Sequence, residues 1–189
     1  MAMPAIRVKS LSDTMFDFQR LVLPKITSWC GNGEFKVIEG QAGDSLAEDF
    51  DVWAGIDVIQ KMSDLGAIRG IASRIQWGRD YSTFSIRASR STGTKTELEK
   101  RTVALAHLDK GCLFPHITVQ AYISQRRVGF LRSVAIAYTQ ELIAYTNKMG
   151  KGINKHSVTD DDGSVSTFLS VDWDAYKQAG MSIKKWRQS

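Results

Sequence analysis

Asp57 is the residue whose type and surroundings most directly indicate chemistry. It lies inside the apolar run 53–59, Trp-Ala-Gly-Ile-Asp-Val-Ile. An ionised carboxylate in such a run is costly unless it meets a cation, a hydrogen-bond donor or the end of a sheet. The sequence therefore predicts either a ligand at this position or a structural acid that caps a turn or pairs with an arginine.

Three alternating segments around Asp57 predict consecutive β-strands that form a meander. They cover residues 52–59, 68–77 and 83–88, and turn signals at 63–66 and 78–80 separate them. Because side chains two residues apart in a strand share a face, Arg74 and Gln76 lie on the same face of the second strand. The meander is the part of the chain that must position Asp57.

The flanking segments predict helices and a further strand. An apolar stripe from Leu11 to Trp29 predicts a first helix, capped by Ser10 or Ser12 and either kinked or split in two at Pro24, and residues 35–38 suggest a short strand. A capping box at residues 96–99 begins a helix that runs to about residue 109, and 116–123 is a buried strand. Residues 130–148 predict a long buried helix, residues 160–163 a hairpin turn, and a last short helix begins near residue 172.

This order of elements gives the fold class α/β (α+β). It predicts a mixed central sheet with an αβββαβ core flanked by helices, plus a C-terminal helix and hairpin. At 189 residues, with 43% hydrophobic and 24% charged residues, the chain fits one globular domain, 1–189, with a core at about 11–123 and an extension at about 128–189. Two cysteines and the lack of a signal peptide or a membrane-length apolar run predict a cytoplasmic protein.

The positive charge is concentrated around the meander and the helix that follows it. The formal net charge is +5, which suits an anionic partner. Trp77 and Tyr81 are interleaved with the cations, while acids are concentrated before Asp57 and in the late hairpin, an asymmetry that suits a phosphate backbone. The alternative is a solvated face that keeps the protein soluble. The candidate nucleic-acid-binding residues are Arg69, Arg79, Arg90, Lys95 and Arg101, with Arg126, Arg127 and the basic end 184–187 as weaker candidates.

The order of elements and two short motifs resemble the PD-(D/E)XK nuclease superfamily, which has the restriction-endonuclease-like fold. Residues 55–59, Gly-Ile-Asp-Val-Ile, match the first motif, whose Asp binds metal. Residues 75–78, Ile-Gln-Trp-Gly, fall where many members have Ile-Gln-Val-Lys. The resemblance covers about residues 11–123.

The resemblance implies roles for individual residues. Asp57 would be catalytic and Gln76 would be the glutamine variant of the second motif position, whereas Gly78 stands where the family has its lysine. Arg74 or Arg87 would then stabilise phosphate charge, although an arginine stays protonated and cannot take a proton from water. The alternative for Gln76 is a buried amide that bonds the neighbouring backbone.

The resemblance also implies a metal cofactor, Mg²⁺ or Mn²⁺. Phosphodiester hydrolysis uses a metal to polarise the phosphoryl oxygen and to make hydroxide from bound water. Asp57 would be the first ligand and the amide oxygen of Gln76 the second. A further acid would come from Glu39, Glu48, Asp49 or Asp51, and of these Glu39 is favoured and Glu48 is the substitute.

Two functions follow from the resemblance. The first is a metal-dependent DNA endonuclease or exonuclease. The second is a nuclease-fold protein without cleavage activity that binds nucleic acid or a protein partner, for example as a phage or plasmid accessory or anti-defence factor. The expected partner is nucleic acid, with DNA as the first candidate. No association with a membrane is expected, and a homodimer is possible.

Overall fold

A six-stranded mixed sheet is the centre of the computed structural model, which describes residues 13–38, 54–62, 66–159 and 163–188. The first three strands are antiparallel neighbours, the third and fourth are parallel, and the last three are again antiparallel neighbours. In spatial order the strands are β1 (Glu34–Val37), β2 (Val58–Met62), β3 (Ala67–Trp77), β5 (Ile117–Ile123), β6 (Leu131–Tyr138) and β9 (Ile183–Arg187).

A second sheet of three antiparallel strands packs against the first. Its order is β4 (Thr83–Arg90), β8 (Val165–Asp172) and β7 (Ile153–Thr159). β4 follows β3 directly in the chain, so the chain leaves the large sheet at the end of β3 and starts the small one. Together with the helices described next, the two sheets give the protein a mixed α+β fold.

Four helices accompany the two sheets within the described ranges. The first, α1, covers residues 13–30 and contains a π-helical turn, Phe18–Val22, before the α-helical part Leu23–Cys30. The others are α2 (Glu97–Ala106), α3 (Thr139–Asn147) and α4 (Trp173–Gln178), with a 3-10 turn at Leu108–Lys110. Within the described ranges, no helix is long and apolar enough to cross a membrane.

The large sheet separates two hydrophobic clusters. On one face, Phe18, Val22 and Ile26 of α1 pack on side chains of the central strands such as Ile71 and Val119. On the other face, Tyr122 of β5 packs with residues of the small sheet, α3 and α4. Because β5 and β6 lie inside the sheet, both of their faces are buried, and they hold the two clusters together.

Several sequence predictions are confirmed. The α2 capping box is present, since the Thr96 side chain accepts from the backbone N–H of Glu99 and the Glu99 carboxylate accepts from Thr96 N. β5 has the predicted bounds to within one residue, and β7 and β8 form the predicted hairpin. Asp172 caps the last short helix, α4, by accepting from two backbone N–H groups. The helix is not split at Pro24, which lies in the first turn of the α-helical part, directly after the π-helical turn.

The predicted meander contains one wrong strand. The antiparallel meander consists of β1, β2 and β3, and the third predicted strand, 83–88, is β4 of the small sheet. The reason is that β5 occupies the free edge of β3, while Phe84 of β4 packs on Trp173 and Tyr176, with ring centroids 5.9 and 6.0 Å away. The first predicted strand also begins later, at Val58, and residues 52–53 lie outside the described ranges.

The predicted helix 130–148 is also wrong over its first half. Residues Leu131–Tyr138 form strand β6, and only Thr139–Asn147 are helical. A continuous apolar run has the same appearance in a central strand and in a buried helix, so periodicity does not separate them. The basic end, expected after the last helix as a charged terminus, is the edge strand β9 paired with β6.

Candidate functional site

Asp57 lies one residue before β2, at the point where the sheet starts. Its backbone N–H donates to Ile71 O at 2.9 Å, and its carbonyl accepts from Ile38 N at 2.9 Å. Its carboxylate Oδ2 accepts a short hydrogen bond from the backbone N–H of Ser73 on β3. The carboxylate is therefore held by the neighbouring strand, while the half-buried side chain still lines a cavity.

Strand β3 brings Arg74 to the same face of the sheet as Asp57. Val58 pairs with Ile71, and both side chains face α1, so Asp57 and the alternate residues Ala72, Arg74 and Gln76 face the opposite side. Ala72 is opposite Asp57, and Gln76 lies four residues further along, about 13 Å away. Arg74 shares the cavity with Asp57, whereas Gln76 does not.

Gln76 instead belongs to a pair of amides. Its Oε1 accepts from Nε2 of Gln120 on β5 at 3.2 Å, and Gln120 is almost completely buried. The predicted convergence of Asp57 and Gln76 therefore does not occur, although both lie on the same face. Gly78, which stands at the expected lysine position, donates its backbone N–H to Ile123 O and has a positive φ of 90° at the turn after β3.

We call the cavity that contains Asp57 the basic pocket. It has a volume of about 380 Å³ and lies between β3, β4 and the start of α2. Among the described residues, six cationic side chains and two acids line it, an excess of positive charge within this part of the chain. The charged residues of the basic pocket are Asp57, Arg74, Arg87, Arg90, Lys95, Glu97, Lys100 and Arg101.

Glu97 links the cations of the basic pocket. Its Oε2 is 2.7 Å from Nη2 of Arg74, its Oε1 is 2.7 Å from Nη2 of Arg101, and the backbone N–H of Arg87 donates to Oε2 at 3.4 Å. Burial by itself raises the pKa of Glu97, but Arg101, Arg74 and Arg87 outweigh it and hold the pKa below its ordinary value. Glu97 is therefore an ionised carboxylate that ties α2 to β3 and β4.

Arg101 is the most buried cation of the basic pocket. Its residue is 3% exposed, and one Nη donates to Glu97. Its Nε and Nη1 are buried and make no hydrogen bond within the part of the chain that the structure describes. A buried guanidinium with two unused donors is costly, so the Glu97 carboxylate is the main compensation for this charge within the described residues.

The described residues do not complete a metal site. In these ranges no three His, Cys, Asp or Glu side chains come together in a group that could hold a metal ion. Of the predicted ligands, Asp57 accepts from Ser73 and Gln76 accepts from Gln120, while the additional acid Glu97 is engaged by arginines. Glu39 and Glu48, with the alternatives Asp49 and Asp51, lie outside the described residues.

The predicted nucleic-acid-binding residues divide between two sides of the sheet. Arg90, Lys95 and Arg101 line the basic pocket, as do the predicted catalytic residues Arg74 and Arg87. Arg69 lies on the face that carries α1, where its Nη1 donates to Cys30 O at 3.2 Å. Arg79 lies after β3, with its guanidinium carbon 5.3 Å from the ring centroid of Tyr81.

The sequence reasoning missed Glu97 and the part played by Lys100. Both lie on one face of α2 with Arg101, since residues three and four apart in a helix are neighbours. The signal was present, because the capping box fixed the start of α2 and placed Glu97 and Arg101 as an i, i+4 pair. The sequence did not show that this face of α2 is directed at the cavity that contains Asp57.

Comparisons with known protein families, with curated proteins and with solved structures found no match.

Proposed function

We propose that this protein binds the phosphodiester backbone of nucleic acid in the basic pocket. DNA is the first candidate for this nucleic acid. The observation that carries the proposal is the group of six cationic side chains that line one cavity among the described residues, with the almost completely buried Arg101 among them. Arginine presents a planar fork of donors that matches phosphate oxygens. The start of α2 adds its partial positive charge at the same cavity.

The arrangement of the large sheet supports a relationship to the PD-(D/E)XK superfamily. Elements α1, β1, β2, β3, α2 and β5 follow one another in the order helix, three strands, helix, strand, with β4 diverted to the small sheet. Asp57 lies at the start of the second of these strands, next to the third. In this proposal the protein is a nuclease-fold protein whose basic pocket holds the nucleic-acid backbone.

A cytoplasmic location and a homodimer stay predictions of the sequence.

The Lys95→Gln/Lys100→Gln double variant tests the proposal. Each cation that contacts a phosphate contributes about 0.9 to the slope of log K against log salt, so the slope is expected to fall by about 2. Affinity should fall at least ~10-fold, since hydrogen bonds to charged groups are strong. The measurement is fluorescence anisotropy with labelled DNA and RNA strands of one sequence at several salt concentrations, which also separates the two sugars.

The matched control is Lys110→Gln/Lys177→Gln. It makes the same change in net charge at two exposed lysines that do not line the basic pocket. We expect its affinity to change less than ~2-fold. Equal losses in the two double variants would show that binding depends on overall charge, and the basic pocket would not be the binding site.

Hydrolysis of the bound strand is a second candidate function. The observation in its favour is that Asp57 and Lys100 line one cavity, so a lysine accompanies the candidate acid although position 78 is glycine. The described residues do not complete a metal site, so hydrolysis would need a further acid, for which Glu39 and Glu48 are the sequence candidates.

Incubation of plasmid DNA or RNA with the protein in Mg²⁺ or Mn²⁺, beside Asp57→Ala, separates the two functions. Metal-dependent cleavage that is lost in Asp57→Ala would establish the nuclease. If the wild-type protein binds the strand in a salt-dependent way and leaves it intact under both metals, it is a binder. Cleavage that persists in Asp57→Ala would remove Asp57 from the chemistry.

A further inference from the structure

The basic pocket continues into a groove between the two sheets. A neighbouring cavity of about 460 Å³ shares Ser73, Arg74 and Arg87 with it. A third cavity, of about 560 Å³, shares Gln76, Ser85 and His156 with the second one. We call the second and third cavities together the inter-sheet groove. A ligand bound at Arg74 and Arg87 therefore has a continuous path away from the basic pocket.

Charge changes along this path. Of the residues that the structure describes, six cationic side chains line the basic pocket, whereas no lysine or arginine lines the third cavity. The third cavity is lined instead by uncharged polar groups such as Asn154 and Ser170, with His156, Tyr81 and the helix-capping Asp172. One end of the path thus suits a phosphate, and the other suits an uncharged group that forms hydrogen bonds.

Aromatic rings line the groove between these ends. Arg87, Phe168 and His156 form a row across the three strands of the small sheet. The His156 ring is stacked on Phe168, with centroids 5.7 Å apart and an interplanar angle of 20°. The guanidinium carbons of Arg74 and Arg87 each lie 5.2 Å from the Phe168 centroid. Because His156 is exposed, its ring offers a stacking surface to a ligand in the groove.

The amide pair provides a directed hydrogen-bond donor. Ser85 N–H is an unambiguous donor, so its acceptor at 3.2 Å is the oxygen of Gln120. The Gln120 nitrogen therefore donates to Gln76 Oε1, and the NH₂ group of Gln76 donates to no atom in the described ranges. Gln76 lines both cavities of the inter-sheet groove. Its NH₂ group is thus oriented for an acceptor such as a ring nitrogen or carbonyl oxygen of a nucleobase.

We propose that the inter-sheet groove binds an unpaired base of a strand whose phosphates occupy the basic pocket, so that the preferred ligand is single-stranded nucleic acid. This proposal rests on the phosphate binding proposed above. The base stacks on the His156–Phe168 pair and accepts from Gln76. A base in a duplex has both faces covered by its neighbours, so it reaches such a ring only after it leaves the helix.

The test uses two exposed rings that line the groove, Tyr81 and His156, in the double variant Tyr81→Ala/His156→Ala. Its control, Tyr138→Ala/His107→Ala, removes the same ring types outside the groove, and Tyr138 is 54% exposed against 56% for Tyr81. The ligands are a 12-nucleotide strand, its duplex, and an abasic strand with the same backbone, prepared as both DNA and RNA. Binding is measured by fluorescence anisotropy, and thermal melting checks that the variants fold.

We expect the wild-type protein to bind the base-bearing strand more tightly than the duplex or the abasic strand. The groove variant should lose about 5- to 150-fold for each stacked base, and should bind the abasic strand as the wild-type protein does. The control should match the wild type on every ligand. Equal wild-type affinity for base-bearing and abasic strands, or an unchanged groove variant, would overturn this inference alone. Failure of the wild-type protein to bind any strand would overturn the phosphate-binding proposal with it.

Discussion

The Glu97→Gln variant is expected to unfold with a free energy about 3 kcal/mol lower than that of the wild-type protein. Glu97 is the one acid whose carboxylate contacts both Arg74 and Arg101 in the described structure, and Arg101 is almost completely buried. Without the carboxylate, the buried guanidinium keeps its charge and loses its partner. Urea unfolding followed by circular dichroism measures the loss.

The difference between wild type and Glu97→Gln should depend on pH in a definite direction. Arg101 and Arg74 hold the pKa of Glu97 below the ordinary value of 4.5, against the opposing effect of burial. Ionised Glu97 therefore contributes its full stability above pH 4.5, and the contribution is lost as pH falls through the lower pKa of the folded protein. The two unfolding free energies should stay a constant distance apart above pH 4.5 and converge in more acidic solution.

The control for both measurements is Asp109→Asn. Asp109 is exposed in the 3-10 turn after α2 and makes no ion pair in the described part of the chain. We expect its unfolding free energy to stay within about 0.5 kcal/mol of the wild type at every pH. A Glu97→Gln variant as stable as this control, or a difference that grows as pH falls, would contradict the assignment of Glu97 as the link between α2 and the two sheets.

The Trp173→Ala variant should lose about 3–5 kcal/mol of stability. Trp173 is completely buried at the start of α4, and its ring centroid lies 5.9 Å from that of Phe84 in the small sheet and 5.8 Å from that of Tyr122 in the large sheet. Its backbone N–H also donates to Ser82 O at 3.0 Å. This residue therefore joins the two sheets whose separation forms the inter-sheet groove.

Differential scanning calorimetry measures this loss, which for a chain of this size corresponds to a fall in melting temperature of about 6–20 °C. Trp173→Phe is the control, because it keeps an aromatic ring and removes an indole N–H that is buried without a partner in the described ranges. We expect it to lose less stability than the alanine variant, because the cavity that it leaves is smaller. An alanine variant that melts together with the phenylalanine variant would show that the sheets are joined elsewhere.

The prediction of α2 shows what local sequence decides well. Thr96 and Glu99 cap the helix through atoms three residues apart, so the sequence contains all the groups that form the motif. The same holds for Asp172 at the start of α4 and for the hairpin of β7 and β8. In each case the interaction that fixes the element lies within a few residues of it.

The correction at residues 130–148 shows what local sequence does not decide. Leu131–Tyr138 forms a strand because β5 and β9 pair with its two edges, and β9 lies far beyond it in the chain, although β5 directly precedes it. Likewise, residues 83–90 left the meander because β5 had taken the edge of β3 and because Trp173 and Tyr176 offered Phe84 a buried contact. Tertiary partners overrode equally good local alternatives.

For the candidate site, the residues along the chain were enough to predict an acid, Asp57, in an apolar segment beside a strand with Arg74, and basic residues around it. Two features came from the packing of distant segments: Gln76 pairs with Gln120 instead of meeting Asp57, and Glu97, Lys100 and Arg101 of α2 share the cavity. The difference arises from separation along the chain. Side-chain spacing along a strand is set by the backbone, whereas the position of α2 over β3 is set by the packing of residues that are far apart in the chain.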